Sequence, residues 1–130
     1  MIPSWVRPLF LVAAVYDLVL GLGFGLGFKT LYTRFGIPLP NHDAYVQLPA
    51  ALIVIFGIAF WMVWRDPVRN RNLIVLGVLL KLAFSGVVLA HRVFASIPDM
   101  WVPFAVADAL FMVAFLAALR VVPAPGGATA

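Results

Sequence analysis

Apolar residues run along this chain in four long blocks, separated by short polar clusters. The blocks cover roughly residues 6–28, 44–64, 73–94 and 100–122. Each is long enough, at ~1.5 Å per helical residue, to cross a hydrocarbon core about 30 Å thick. None alternates apolar and polar positions over ~10 residues as a membrane β-strand must, and a helix satisfies its own backbone hydrogen bonds in lipid. The pattern predicts an all-α polytopic membrane protein. Its four-helix transmembrane bundle occupies residues 1–122, and a flexible tail covers 123–130 (PAPGGATA).

The connecting segments refine this layout. After the first block, Lys29–Phe35 places Leu31, Tyr32 and Phe35 on one side and Lys29, Thr33 and Arg34 on the other. It reads as a short amphipathic segment lying in the membrane interface. Pro38 and Pro40 then exclude a continuing helix, because proline lacks the N–H and disfavours α geometry in its predecessor. Asp66-Pro67 reads as an N-cap followed by proline at the first helical position. Ser96 and Asp99 resemble a capping box with Asp in place of Glu. Pro49 falls in the first two turns of the second span, where proline disrupts least.

Composition sharpens the class. Of 130 residues, 65% are hydrophobic and 11% charged, against about 25% charged in a soluble domain, so a soluble globular fold is excluded. At ~20 residues per helix, about four spans are all the length allows. With no cysteine there is no disulfide, thiolate metal site or cysteine nucleophile. The net charge of +4 suggests nucleic acid only until the basic residues are placed: they form no basic face, and no nucleic-acid partner is expected. Lys and Arg in excess are what cytoplasmic loops of membrane proteins carry. The first block also has features of a secretory signal, but Asp17 interrupts it and it exceeds the roughly 7–15 apolar residues of a signal core. It is read as a retained span.

Basic residues also set an expected orientation. Arg7, Arg65, Arg69, Arg71 and Arg120 fall on one side, and Lys29, Arg34 and Arg92 on the other. The positive-inside rule then puts both termini in the cytoplasm. Trp5, Trp61 and Trp64 would form one interfacial belt, and Tyr32, Tyr45 and Trp101 the other. Spans one and four each carry an Asp followed twelve positions later by a basic residue (Asp17 to Lys29, Asp108 to Arg120). One shared spacing is a coincidence rather than a repeat.

Three charged residues interrupt the apolar blocks near mid-depth: Asp17, Lys81 and Asp108. A charge at the bilayer centre costs about 2.5–3.5 kcal/mol, so three unpaired ones would cost roughly 8–10 kcal/mol. They should face inward and meet. Two carboxyls and one ammonium leave an odd charge, which a proton on one Asp or an added cation would balance. Helical phase puts Trp101, Phe104, Asp108, Phe111 and Phe115 on one face of span four. Gly77, Lys81, Ser85, Val88 and Arg92 share a stripe of span three, and Phe10, Asp17, Gly21, Phe24 and Phe28 one of span one. Asp17, Lys81 and Asp108, with Tyr16, Ser85, Phe104 and Phe111, therefore form the candidate ligand-binding or proton-relay site. An aromatic interior with a central charge suits a flat apolar molecule with a polar head, such as a quinone or a lipid; an ordinary core holding a structural ion pair accounts for the same residues.

Gly21, Gly23, Gly25 and Gly27 alternate along the first span and form two overlapping GxxxG pairs. Small residues permit close helix approach in lipid, so these glycines are candidate packing positions within the bundle or in an oligomer. A phosphate loop is the competing reading, but no strand precedes the run and the spacing is not G-x-G-x-x-G. His42 and His91 lie near one surface with Asp43 and Asp99, without the paired-histidine spacing of a metal site, and no metal is expected. The histidines are also too far from the mid-depth acids for a Ser-His-Asp constellation, so no catalytic residue is assigned.

Tyr16-Asp17, the stretch Ile37–Ala50 (IPLPNHDAYVQLPA), the turn Arg65–Asn72 (RDPVRNRN) and Leu80-Lys81-Leu82 together resemble small bacterial four-span membrane proteins. In size and layout they are similar to the DoxX-like group. That resemblance covers most of the chain and rests on layout rather than on a diagnostic signature. It implies a compact four-helix bundle of the bacterial inner membrane, in a group that includes subunits of quinone-linked oxidoreductases. No catalytic residue carries over, and the absence of Glu leaves the acidic motif of that group without a counterpart. The expected function is a non-enzymatic membrane subunit or a bundle that binds a quinone- or lipid-like molecule, alone, as a homo-oligomer or in a larger complex, with no cofactor. The alternative is an oligomeric proton-coupled carrier or channel using the same three charges as a relay.

Overall fold

The computed structural model describes residues 1–126; positions 127–130 of the expected tail lie outside the described residues. Four α-helices account for most of it: α1 Val6–Arg34, α2 Ala44–Arg65, α3 Arg71–Phe94 and α4 Trp101–Val121. All four are long and apolar enough to cross a membrane, with mean hydropathies of 2.1 to 2.5 in their most apolar windows. The outward surface agrees with that setting. Val19, Leu26, Leu110 and Val113 project away from the bundle, Leu26 with 87% of its surface exposed. In water such a coat of aliphatic side chains would drive aggregation; in lipid it meets its own kind. The protein is a multi-pass membrane protein built as a four-helix bundle.

Successive helices run antiparallel, and the tightest neighbours are α1 with α2 and α3 with α4, so the bundle consists of two hairpins. The first is drawn close by glycine. A Cβ on Gly21 would come within 2.7 Å of Val54 Cγ2 and 2.8 Å of the Ala50 carbonyl oxygen. On Gly57 a Cβ would stand 2.7 Å from Leu18 Cγ. Each helix thus offers a glycine to the other. Gly25 also faces α2, at ordinary contact distance from Ala50, whereas Gly23 and Gly27 meet nothing. Of the two GxxxG pairs, one lies against α2 and the other on an open face.

The interior divides into two apolar layers. One contains Val6, Phe10, Phe60, Val63, Ile74, Phe115 and Ala118; Phe10 stacks on Phe115 with ring centroids 4.7 Å apart. The other contains Phe24, Phe28, Tyr32 and Ala50, with Trp101 and Phe104 against them. Tyr32 and Trp101 therefore turn inward, Trp101 stacked on Phe24 at 5.2 Å, rather than forming the interfacial belt expected of them. Trp5, Trp61 and Tyr45 remain exposed.

Helix ends depart from the sequence expectations in three places. Lys29–Arg34 is not a separate interfacial segment: α1 runs through it unbroken, because no proline or glycine intervenes before Gly36. There the helix closes on a Schellman motif. Gly36 takes φ +66°, its N–H bonds Thr33 O, and the Ile37 N–H bonds Tyr32 O at 2.8 Å. Asp66 does not cap α3, which begins at Arg71 with Asn70 as its cap; its Oδ1 accepts from the Arg69 N–H inside the intervening turn. Ser96 and Asp99 form no capping box. Met100 precedes α4, and no side chain caps that end.

The two hairpins also match position by position. Asp17 and Lys81 are 64 residues apart. The same offset carries buried Phe10 onto Ile74, Ala13 onto Gly77, Gly21 onto Ser85 and Phe24 onto Val88. It also carries Arg7 onto Arg71, and these two perform the same task. Arg7 donates to the carbonyls of Trp64 and Arg65, at the end of α2. Arg71 donates to the carbonyls of Leu119 and Val122, at the end of α4. An offset of 55 maps Ala50, Phe60 and Val63 onto Ala105, Phe115 and Ala118, all buried. The repeat therefore pairs α1 with α3 and α2 with α4, in the parallel sense. The Asp-to-basic spacing shared by spans one and four is unrelated to it.

Candidate functional site

Lys81 stands at the centre of the bundle, 1% exposed, as is Asp17. Its Nζ donates to Asp17 Oδ1 at 2.8 Å and to Asp108 Oδ1 at 3.0 Å. The three charges that interrupt the apolar blocks thus share one nitrogen, between the two apolar layers. Helix geometry brings them there. Asp17 sits on the α1 stripe with Phe10, Gly21 and Phe24, Lys81 on the α3 stripe with Gly77 and Ser85, and Asp108 on the α4 stripe with Ala105 and Phe115. The Asp17–Lys81 bond crosses between hairpins, whereas Lys81–Asp108 lies within one.

Two of the ammonium's three donors are thereby used. Around it stand the rings of Phe111 at 5.2 Å, Tyr16 at 5.3 Å and Phe60 at 5.6 Å from Nζ to centroid, all within cation–π range. Ser85, one turn further on, does not reach the ammonium; its hydroxyl donates to the Lys81 carbonyl at 2.6 Å, the back-bond open to a serine inside a helix. Two buried polar atoms have no partner among the described residues, Asp17 Oδ2 and the Tyr16 hydroxyl. A buried acceptor left unpaired costs more than its hydrogen bond would return, so an orphan carboxylate oxygen at mid-depth asks for a donor.

A small cavity of about 40 Å³ borders the three charges, walled otherwise by Leu20, Ile53, Leu80 and Phe84. Beyond it lies a larger one of about 230 Å³, enclosed by residues of all four helices, among them Phe24, Tyr32, Trp101 and Phe104. Leu20, Ile53 and Phe84 belong to both. The large cavity is an aromatic chamber that shares these three residues, its neck, with the small cavity beside the charges. Tyr45 and Pro49, both exposed, border its outer side. Pro49 lies inside α2, where it has no N–H to give the Tyr45 carbonyl.

Of the residues singled out in the sequence, Asp17, Lys81, Asp108, Tyr16 and Phe111 come together around the ammonium. Phe104 lines the chamber, and Ser85 and the glycines serve neither. Sequence reasoning missed Phe60, Leu20, Ile53 and Phe84. Phe60 carried one available signal: it lies one helical turn from Gly57 on the buried face of α2. The others are apolar residues in apolar helices and carry none. No group of three or more potential metal-ligating side chains occurs among the described residues. His42 accepts the Ala44 N–H at the start of α2, and His91 is exposed.

No protein-family model, curated protein or solved structure matches the chain.

Proposed function

We propose that this protein binds a small, largely apolar molecule of quinone or lipid character inside its bundle, as a non-enzymatic membrane component. The observation that carries this reading is the aromatic chamber of about 230 Å³ that shares Leu20, Ile53 and Phe84 with a smaller cavity bordering a buried charge cluster. Ligand sites are apolar clefts with few convergent polar groups, and drug-sized pockets run to roughly 300–1,000 Å³. A chamber slightly below that range suits one ring or one chain end, with the rest of the molecule lying out among the lipids. The setting proposed is the bacterial inner membrane, within the DoxX-like group, with the Arg7, Arg65, Arg69, Arg71 and Arg120 end in the cytoplasm.

Mass spectrometry of the protein extracted in mild detergent tests it. A small apolar molecule should remain bound near one per chain. Val46→Trp, which fills the chamber away from the charges, should expel it while the helices stay folded. A wild-type protein that carries no such molecule, and always copurifies with a second polypeptide, would turn the reading towards a scaffolding subunit.

A further inference from the structure

We infer that the ligand's head is a hydrogen-bond donor carrying positive charge: the site takes an amphiphile with an ammonium head. The inference rests on the binding reading above and names the class of molecule. It starts from the charge count at the centre of the bundle. Asp17 and Asp108 supply two negative charges, and Lys81 supplies one positive. Buried ions in a low-dielectric interior are stable only when balanced and fully hydrogen-bonded, and with both carboxylates ionised this cluster is one positive charge short.

Hydrogen bonding shows the same deficit at a particular atom. Both carboxylates use Oδ1 on Lys81, and Asp17 Oδ2 is buried with no donor. No neighbouring donor fills the gap: Ser85 is turned to its own backbone, and the Tyr16 hydroxyl is itself unpartnered. Asp17 is 1% exposed and borders the 40 Å³ cavity, which has room for one small polar head. The neck and chamber beyond offer only apolar and aromatic surface, fit for a hydrocarbon chain, and aromatic faces also favour a cation entering between them. A quinone head offers acceptors alone, which Asp17 Oδ2 repels. An ammonium satisfies the oxygen and closes the charge balance to two against two.

The test uses full-length protein in zwitterionic lipid nanodiscs, titrated with dodecylamine, dodecanol and a short-chain ubiquinone, with bound ligand counted by native mass spectrometry. Dodecylamine should bind about ten-fold more tightly than dodecanol, the preference a charged hydrogen bond confers over a neutral one. Asp17→Asn should abolish the preference for the amine over the alcohol. Ile53→Phe, which narrows the neck, should weaken binding of the amine; an amine merely adsorbed at the lipid surface would be indifferent to it. Equal binding of amine and alcohol to the wild type overturns the head-group inference and leaves the chamber reading standing. So does tighter binding of the quinone than of the amine. If none of the three binds, the chamber reading itself fails. The wild-type comparison needs no variant to fold.

Discussion

Lys81 is held by two carboxylates and three aromatic rings around a single nitrogen, and removing it leaves far more exposed to loss than removing either acid. Lys81→Met leaves Asp17 and Asp108 buried together without a counter-ion, a loss of about 3–5 kcal/mol for a broken buried pair. Asp17→Asn leaves the Lys81–Asp108 pair balanced and should cost visibly less. Adding Asp17→Asn and Asp108→Asn to Lys81→Met should recover most of the loss, since apolar or neutral replacement of a whole buried ion cluster is close to neutral. Thermal melting of the four proteins in one detergent checks the order; a Lys81→Met protein as stable as Asp17→Asn would show that the ammonium is not the hub. The charged residues were legible in the sequence because each is a violation of its surroundings, with a known cost. Leu20 and Ile53 were not, since an apolar residue in an apolar helix violates nothing.

Among the elements, α1 and α2 have the closest approach, and it depends on one face of a glycine-rich run. Gly21→Val should destabilise by about 1–3 kcal/mol, because the new side chain meets the Ala50 carbonyl and the backbone of Val54, neither of which can move aside cheaply. Gly23→Ala, on the open face, should be neutral or slightly stabilising, since alanine loses less chain entropy in a helix. Melting temperatures of the two variants decide it. The alternation of glycines in the sequence could not say which pair meets a helix; that depends on where α2 lies. Helix existence was legible to within a few residues, because apolar blocks of span length admit little else. Helix ends were not. Asp66 and Ser96 have the chemistry of N-caps, but residues 67–70 stand before α3 and 97–100 before α4, and a helix emerging near water has other acceptors for its first amides. At α1 the true stop was Gly36, not the change to amphipathic character after Phe28.

At the scale of the whole molecule the two hairpins are versions of one design. Each uses an arginine at its first helix to satisfy carbonyls at the end of its second. Each also has an exposed ion pair near its own turn, Lys29–Asp43 at 3.1 Å and Arg92–Asp99 at 3.7 Å. Exposed pairs of this kind are worth little in stability, so each hairpin depends chiefly on packing. The repeat escaped detection in the sequence because its most telling pair, Asp17 and Lys81, has opposite chemistry at equivalent positions, and most other pairs exchange one apolar residue for another. Residues 1–68 and 69–130 expressed together as separate chains should reassemble into a bundle that copurifies. Asp17→Lys in the first fragment should prevent this, and Lys81→Asp in the second should restore it. Pull-down of one tagged fragment by the other reads the result, and failure of the swapped pair to associate would dissociate the charges from assembly. The same geometry bears on a hazard of any molecule made of two similar halves, which is that a half can mate with its own likeness on a neighbouring chain. Two first hairpins brought face to face would set Asp17 against Asp17, and two second hairpins Lys81 against Lys81. A plug and a socket, one at each centre, thus make the only comfortable union the one between unlike halves, and the crowding of many copies in one bilayer need not scramble them.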